Sequence, residues 1–210
     1  MNPTIKVGNV QIYQDGNLIQ WTAGLSVDAD GAPNAYAPKG SGLPALDDLI
    51  CAGKPGKWWG IATDNGKKDG NPIIQGPTDP FPGYYVSTTA LGDRNYKESN
   101  PLHWVDATQI PYVSVPPEIT KLGVHMGDVA YVEYNGKGVA VVVADVGPEG
   151  EIGEGSMALA DLLGINSDPK HGGVSSGVKV SVWKYSKKGW PRPQADIDQQ
   201  VQALLKPPSP

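Results

Sequence analysis

The chain has 210 residues, a formal net charge of −5 and 39% hydrophobic residues, with a pI near 5.1. That acidity argues against a phosphate-backbone binder and favours a cationic partner. No apolar run approaches the roughly 18 residues of a membrane span. The single cysteine, Cys51, excludes an internal disulfide and a cysteine-rich zinc site. Glycine (27) and proline (20) make up more than a fifth of the chain, which points to one turn-rich, mainly β domain.

The N-terminus, MNPTIKVGNVQIYQDG, shows no basic start followed by an apolar run, so no secretory signal is visible. Val10 to Trp21 reads as a hairpin with Asp15-Gly16 at its turn. LSVDADGAPNAYAP continues as a short strand that ends in an acidic turn. Residues 40–57 hold one or two helical turns around Leu46, Leu49 and Ile50, stopped by Gly53, and residues 58–83 read as long loops. YYVSTTAL (84–91), IPYVSVP (110–116), DVAYVEY (128–134) and GVAVVVADV (138–146) read as strands, the last two joined at Asn135-Gly136. SMALADLL (156–163) reads as a helix capped by Ser156 and ended by Gly164. VKVSVWKY (178–185) is a final strand, and ADIDQQVQALLK a helix with Ile197, Val201, Leu204 and Leu205 on one face. A loose PPSP tail closes the chain. The domain boundaries read as an N-terminal hairpin extension (1–24), a catalytic domain (25–186), and a C-terminal helix with its tail (187–210).

Several short motifs fail on context. Gly173-Val-Ser175-Ser-Gly177 matches a nucleophile elbow, but a strand follows it and all three histidines precede it, so it reads as a turn. Gly153-Glu-Gly155-Ser-Met-Ala158 lies outside any βαβ series, which argues against a dinucleotide site. Asp28-Ala-Asp30-Gly31 lacks the glycine and glutamate of a calcium loop, because Pro33 and Lys39 stand there. His103, His125 and His171 lack metal-ligand spacing. Cys51 reads as a buried, inert thiol.

Chemistry concentrates in Gly138 to Asn166. An apolar strand delivers Asp145, a glycine-rich loop follows, and Glu154 precedes the capped helix. The apolar chain around Asp145 predicts a raised pKa, whereas a helix N-terminus would hold Glu154 ionised. Two carboxylates in different environments suit glycoside hydrolysis, with one acid and one base or nucleophile. Carboxylates in a glycine-rich turn also serve simply as solvated or capping groups.

Six stretches in order, VDADGAPNAY (27–36), ALDDLICAGKPGKWWGI (45–61), GYYVSTTAL (83–91), IPYVSVP (110–116), MGDVAYVEYNGKGVAVVVADVGPEGEIGEGSMALADLLGI (126–165) and HGGVSSGV (171–178), resemble the glycoside hydrolase family 75 chitosanases. The resemblance implies endo-hydrolysis of β-1,4-linked glucosamine in chitosan, inversion at the anomeric carbon, no metal or cofactor, and a secreted protein, taken here as a monomer. It also implies that the carboxylates of the DVGP and GEGS segments, Asp145 and Glu154, are the catalytic pair. The strand–Asp–loop–helix order is similar to double-psi β-barrels, which gives the expected architecture and makes Asp145 the acid and Glu154 the base, although the two roles are exchangeable. Asp28 and Asp30 are expected to bind glucosamine ammonium groups, an Asx-turn being the competing role. Among Tyr36, Trp58, Trp59, Tyr84 and Tyr85, one or two are expected to stack on sugar while the rest fill core. Ser87, Thr88 and Thr89 are expected to hydrogen-bond sugar or Asp145. Two rival readings are a muramidase or lytic transglycosylase acting on peptidoglycan, and a non-catalytic carbohydrate-binding module.

Overall fold

A computed structural model describes residues 3–206, so the PPSP tail lies outside the described residues. In chain order the strands are β1 (Pro3–Val7), β2 (Val10–Asp15), β3 (Leu18–Asp28), β4 (Gly53–Lys54), β5 (Lys57–Trp58), β6 (Tyr112–Ser114), β7 (Val129–Tyr134), β8 (Lys137–Asp145), β9 (Glu154–Ser156) and β10 (Val174–Trp183). The α-helices are α1 (Pro117–Lys121), α2 (Met157–Leu163) and α3 (Gln194–Leu205). Hydrogen bonding runs β3–β10–β7–β8–β6–β9 and returns from β9 to β3, which closes a six-stranded barrel. Four of the six ladders are antiparallel, while β6–β8 and β3–β9 are parallel. A mainly β, barrel-like single domain with a few short helices is what the sequence predicts. Closure leaves these strands without a free edge.

The barrel is buried on both surfaces. Val141 and Val143 of β8 belong to a core with Ile19, Trp21, Leu25, Val113, Leu159 and Val180. Ala140, Val142 and Ala144 of the same strand belong to a second core with Tyr36, Trp58, Tyr112, Ile197 and Val201. A strand covered on both faces needs apolar residues at every position, which explains the uninterrupted VAVVVA run. The outer cover comes from α3 and from the loop-rich stretch between β3 and β6.

Local signals place most elements. Asn135 (φ +47°) and Gly136 (φ +78°) make the two-residue turn between β7 and β8. Ser156 caps α2 by accepting the Leu159 N–H at 3.2 Å, and Gly164 ends the helix in the left-handed region. At the first hairpin the turn is Gly16-Asn17 rather than Asp15-Gly16. Gly16 (φ +56°) takes the first turn position, and Asp15 stays in the ladder opposite Leu18. β3 runs unbroken through the boundary drawn after residue 24, and Ile12, Ile19, Trp21 and Ala23 share a core with the barrel, so the N-terminal hairpin is part of the domain.

Other expectations are corrected. YYVSTTAL forms no strand. Its backbone bonds go in turn to Tyr36, Ile73, Gly60 and Ala144, four different places, and the residues make only the isolated bridges Ile74–Tyr85 and Ile61–Ser87. The Gly173–Gly177 turn is instead the start of β10, set off by a register irregularity between Val174 and Val178. Only Ile197 and Val201 of α3 are buried, while Leu204 and Leu205 are exposed. Cys51 is exposed, not buried, although its thiol is pushed up to about 12 by partial burial and by Asp47.

Gly31 shows how tightly the outer cover meets the acidic turn. At φ +80°, a Cβ there would lie 2.0 Å from the carbonyl oxygen of Val105. Gly40 has the same φ with nothing within 4 Å. Gly40→Ala is therefore expected to lose only the backbone strain, about 1 kcal/mol. Gly31→Ala adds a clash of the kind that costs about 1–3 kcal/mol more. Urea denaturation of the two variants separates the contributions, and equal losses would refute the close approach.

Candidate active site

Three strand ends build the site. β6 pairs with β8 through Val113 and Val143, then Ser114 and Asp145, so Ala144 is an extra residue in β8. This bulge reverses the alternation after Val143. Without it Asp145 would share the face of Val141 and Val143 in the inner core. With it, Asp145 turns to the outer face beside Ser114, the use to which bulges near active sites are commonly put. On the other side of β6, Ser114 pairs with Glu154, and Glu154 pairs with Ser26 of β3. Asp145, Ser114 and Glu154 thus form one row across three strands. At roughly 4.8 Å per strand, the Cα atoms of the two acids lie about 10 Å apart.

Asp28, at the end of β3, sits behind this row. It is 7% exposed. Its Oδ1 accepts the Asp30 N–H at 2.7 Å, and its Oδ2 accepts the hydroxyls of Tyr112 at 3.0 Å and Ser114 at 3.2 Å. Asp28 therefore forms the Asx-turn and orders the cluster instead of waiting for an ammonium. Asp30 is half-buried; its Oδ1 accepts the Tyr36 hydroxyl at 2.6 Å. Gly60 borders Asp30, since a Cβ there would lie 3.1 Å from either carboxylate oxygen. Asp145 Oδ1 accepts the Ala90 N–H at 2.8 Å. Oxygens of Asp28, Asp30 and Asp145 lie within 4.8 Å of one another, the one grouping among the described residues able to hold a cation. Each of the three already accepts protein hydrogen bonds, so a cation would have to compete with those donors.

The electrostatics follow from burial without a countercharge. No lysine or arginine forms an ion pair with these four carboxyls among the described residues. Desolvation pushes Asp145 up to about 8, helped by the charge of Asp28 and opposed by the N–H groups of Val146 and Ala90. Desolvation also pushes Glu154 up to about 8, with Asp28 and Asp145 adding to it and the Ser114 hydroxyl opposing. Asp28 is raised by burial, and Asp30 is raised well above its ordinary value by burial and by Asp28. The expectation that a helix N-terminus keeps Glu154 ionised is corrected. Glu154 lies in β9, two residues before the Ser156 cap, and its burial outweighs the dipole. A set of like charges this close shares protons as a unit.

The remaining predicted residues divide by exposure. Tyr36 is 1% exposed and donates to Asp30, so it positions a carboxyl and cannot stack on sugar. Tyr84 is buried, its hydroxyl donating to the Pro44 carbonyl at 3.1 Å. Ser87 is buried between the Gly31 N–H and the Gly60 carbonyl, and Thr89 between the Leu91 carbonyl and the Val105 N–H. Tyr36, Tyr84 and Ser87 are thereby closed off from a ligand, whereas Thr89, although buried, lines a cleft in the outer cover. Thr88 and Tyr85 are partly open, and Tyr85 tilts against buried Trp58 with ring centroids 6.1 Å apart. Trp59 is 47% exposed, and its ring is fixed by donation from Nε1 to the Cys51 carbonyl at 2.7 Å. Next to Gly60, it offers a rigid aromatic platform beside the acids. Tyr112 and Ser114, which the sequence reading passed over, are the residues that tie the cluster together.

A cleft of about 60 Å³ opens against Glu154, lined also by Ser26, Ser114, Gly147 and Glu151. A water needs only about 10–15 Å³ and two or more polar partners, so this space accommodates one. No protein-family model and no curated protein matches the chain. The class of site therefore rests on its own geometry: a desolvated carboxyl cluster on the outer face of a β-barrel, bordered by an exposed indole.

Carboxyls held protonated at neutral pH make the folded state bind more protons than the unfolded chain, whose carboxyls titrate near 4. Stability is then greatest below about pH 4–5 on this account and falls as pH rises towards 8. Asp145→Asn and Glu154→Gln should each flatten that fall and raise Tm at pH 8, by about 2–4 °C per kcal/mol recovered. Thermal melts across pH 4–9 check this, and an unchanged slope in both variants would contradict the shared-proton cluster.

Proposed function

We propose that the protein is an endo-acting glycoside hydrolase that cleaves β-1,4-glucosamine linkages of chitosan with inversion, and that it acts as a secreted monomer. The observation that carries this reading is the row Asp145–Ser114–Glu154, which sets two carboxyls on one face with a water-sized cleft against one of them. The family 75 resemblance of the DVGP and GEGS segments supports the same pair. Carboxyl groups about 6.5–9.5 Å apart leave room for a water in single displacement, and a two-strand separation is compatible with that range.

Asp145 serves as the acid. Burial and the neighbouring charge of Asp28 keep its proton on at neutral pH. It donates that proton to the glycosidic oxygen as the bond from this oxygen to the anomeric carbon breaks. Glu154 serves as the base in the state of the shared-proton cluster that keeps the proton on Asp145 and leaves Glu154 ionised, because the cleft that can hold the attacking water opens on it. It takes a proton from the water as the new carbon–oxygen bond forms on the opposite face of the sugar, leaving an α-configured product. Asp30 is the carboxyl best placed to meet a glucosamine ammonium, since it is more open than Asp28 and an ammonium beside it would favour its ionised form. Trp59 supports the sugar ring.

Asp145→Asn and Glu154→Gln are expected to lower the rate on chitosan at least 10²-fold while remaining folded. NMR of fresh product should show the α-anomer first, and activity should peak near pH 8, falling above it as Asp145 loses its proton and below it as Glu154 gains one. Chitosan, chitin, carboxymethylcellulose and peptidoglycan offered in parallel test the substrate. Cleavage of peptidoglycan alone, surviving Glu154→Gln, would replace this reading with a lytic transglycosylase that needs a single acid.

A further inference from the structure

A second cleft, of about 170 Å³, lies in the loop-rich cover and is lined by Trp58, Trp104, Lys67, Lys68, Thr88 and Glu98 among others. It is smaller than the roughly 300–1,000 Å³ of sites that enclose a whole small molecule, so it suits one unit of a longer ligand. Its walls continue into the acidic cluster. Ile61 lines it next to Gly60, which borders Asp30, and Thr89 lines it next to Ala90, whose N–H binds Asp145. The Thr88 N–H donates to the Gly60 carbonyl at 3.1 Å and holds the two walls together. The cleft therefore lies one residue along the chain from Gly60 and Ala90, which border the Asp30 and Asp145 carboxyls.

Its lining carries two lysines and one exposed carboxylate, Glu98, so its net charge is positive where the neighbouring cluster holds only carboxyls. Lys67 and Lys68 are exposed and form no ion pair among the described residues. Of the acids nearby in sequence, Asp64 is tied to Asn71 by two hydrogen bonds, and neither it nor Asp69 lines the cleft. The lysine loop is held in shape, with the Thr63 hydroxyl donating to the Lys67 carbonyl at 2.7 Å and the Lys67 N–H to Asn65 Oδ1 at 2.9 Å. The Trp104 indole is fixed by donation to the Glu98 carbonyl at 3.1 Å. Two lysines against the single Glu98 carboxylate leave the cleft net positive, which disfavours a glucosamine ammonium. They can instead donate hydrogen bonds to an amide oxygen, and the indole packs an attached methyl group.

We propose that this cleft is a subsite for an N-acetylated hexosamine unit and discriminates against the free amine. The assignment rests on the glycan-cleaving reading and adds where acetylated units sit: one side of the carboxyl cluster takes ammonium-bearing sugar, and the Lys67–Lys68 side takes acetamido sugar. The test is Lys67→Met/Lys68→Met, with both side chains on the surface and outside the catalytic row. Binding is titrated with the N-acetylglucosamine trimer, the glucosamine trimer and a trimer of a uronic acid, followed by tryptophan fluorescence and by saturation transfer to the acetyl methyl. Wild type should prefer the acetylated trimer, and the double variant should narrow that preference about three- to tenfold. Hydrolysis should shift in the same sense, with fully deacetylated chitosan becoming the relatively better substrate. An unchanged preference in the variant, or tighter binding of the uronic acid trimer by wild type, would overturn the subsite. Failure to cleave any chitosan while the acetylated trimer still binds in a lysine-dependent way would instead remove the hydrolase reading and leave the subsite standing.

Discussion

The three residues of β6 carry more of this structure than their number suggests. Tyr112, Val113 and Ser114 are wholly buried and hydrogen-bond on one side to β8 in parallel and on the other to β9 in antiparallel fashion. Removing this strand opens the barrel, since nothing else joins β8 to β9. The same residues organise the site. The Tyr112 N–H donates to Ser156, the cap of α2, and its hydroxyl donates towards Asp28 and the Asp30 carbonyl. Ser114 stands between Asp145 and Glu154 in register. Closure of the fold and spacing of the two acids are therefore one constraint, and a shift of β6 by a single residue would disturb both.

A barrel with apolar residues on both faces has no natural place for four carboxyls. They are accommodated where the strands end and where the outer cover has its seam. Backbone N–H groups, two tyrosine hydroxyls and one serine hydroxyl reach them, but among the described residues no lysine or arginine pairs with them. Hydrogen bonds of this kind offset part of the desolvation, and the remainder appears as protons retained at neutral pH. The strain is local, and it lies where the proposed acid–base chemistry would use it.

Much of this was legible in the sequence because the signals are local. Asn135-Gly136, the Ser156 cap with Gly164, and the apolar run of β8 each carry their own physical reason, and each stands in the structure where the chain pattern puts it. The pairing of Asp145 with Glu154 could be proposed from a strand followed by a glycine loop and a helix. The parts that stayed hidden depend on long-range partners. The bulge at Ala144 exists only against β6 and leaves no mark in VVVADV. YYVSTTAL has the composition of a strand, but its hydrogen bonds scatter among four segments. Tyr36, Tyr84 and Ser87 have the composition of a binding surface, yet each is spent inside the protein. Ser114 and Tyr112 looked like ordinary strand residues because their partner, Asp28, lies more than 80 positions away.

The barrel's closing ladders also decide when the protein first becomes whole. β3 must find β9 and β10, so that Ala23 meets Val178 and Ser26 meets Glu154, across most of the chain. During synthesis the β7–β8 hairpin can form as soon as it emerges, but β3 waits with an unpaired edge until β10 has left the ribosome. Pairings of such high sequence separation are slow and leave strands open to wrong partners in the meantime. Asp28 reaches Tyr112 and Ser114 only from the end of β3, so the full carboxyl cluster and the closed barrel are completed together. Burial of the four carboxyls during refolding would therefore time the closing of the barrel, and no half-made intermediate would register in it.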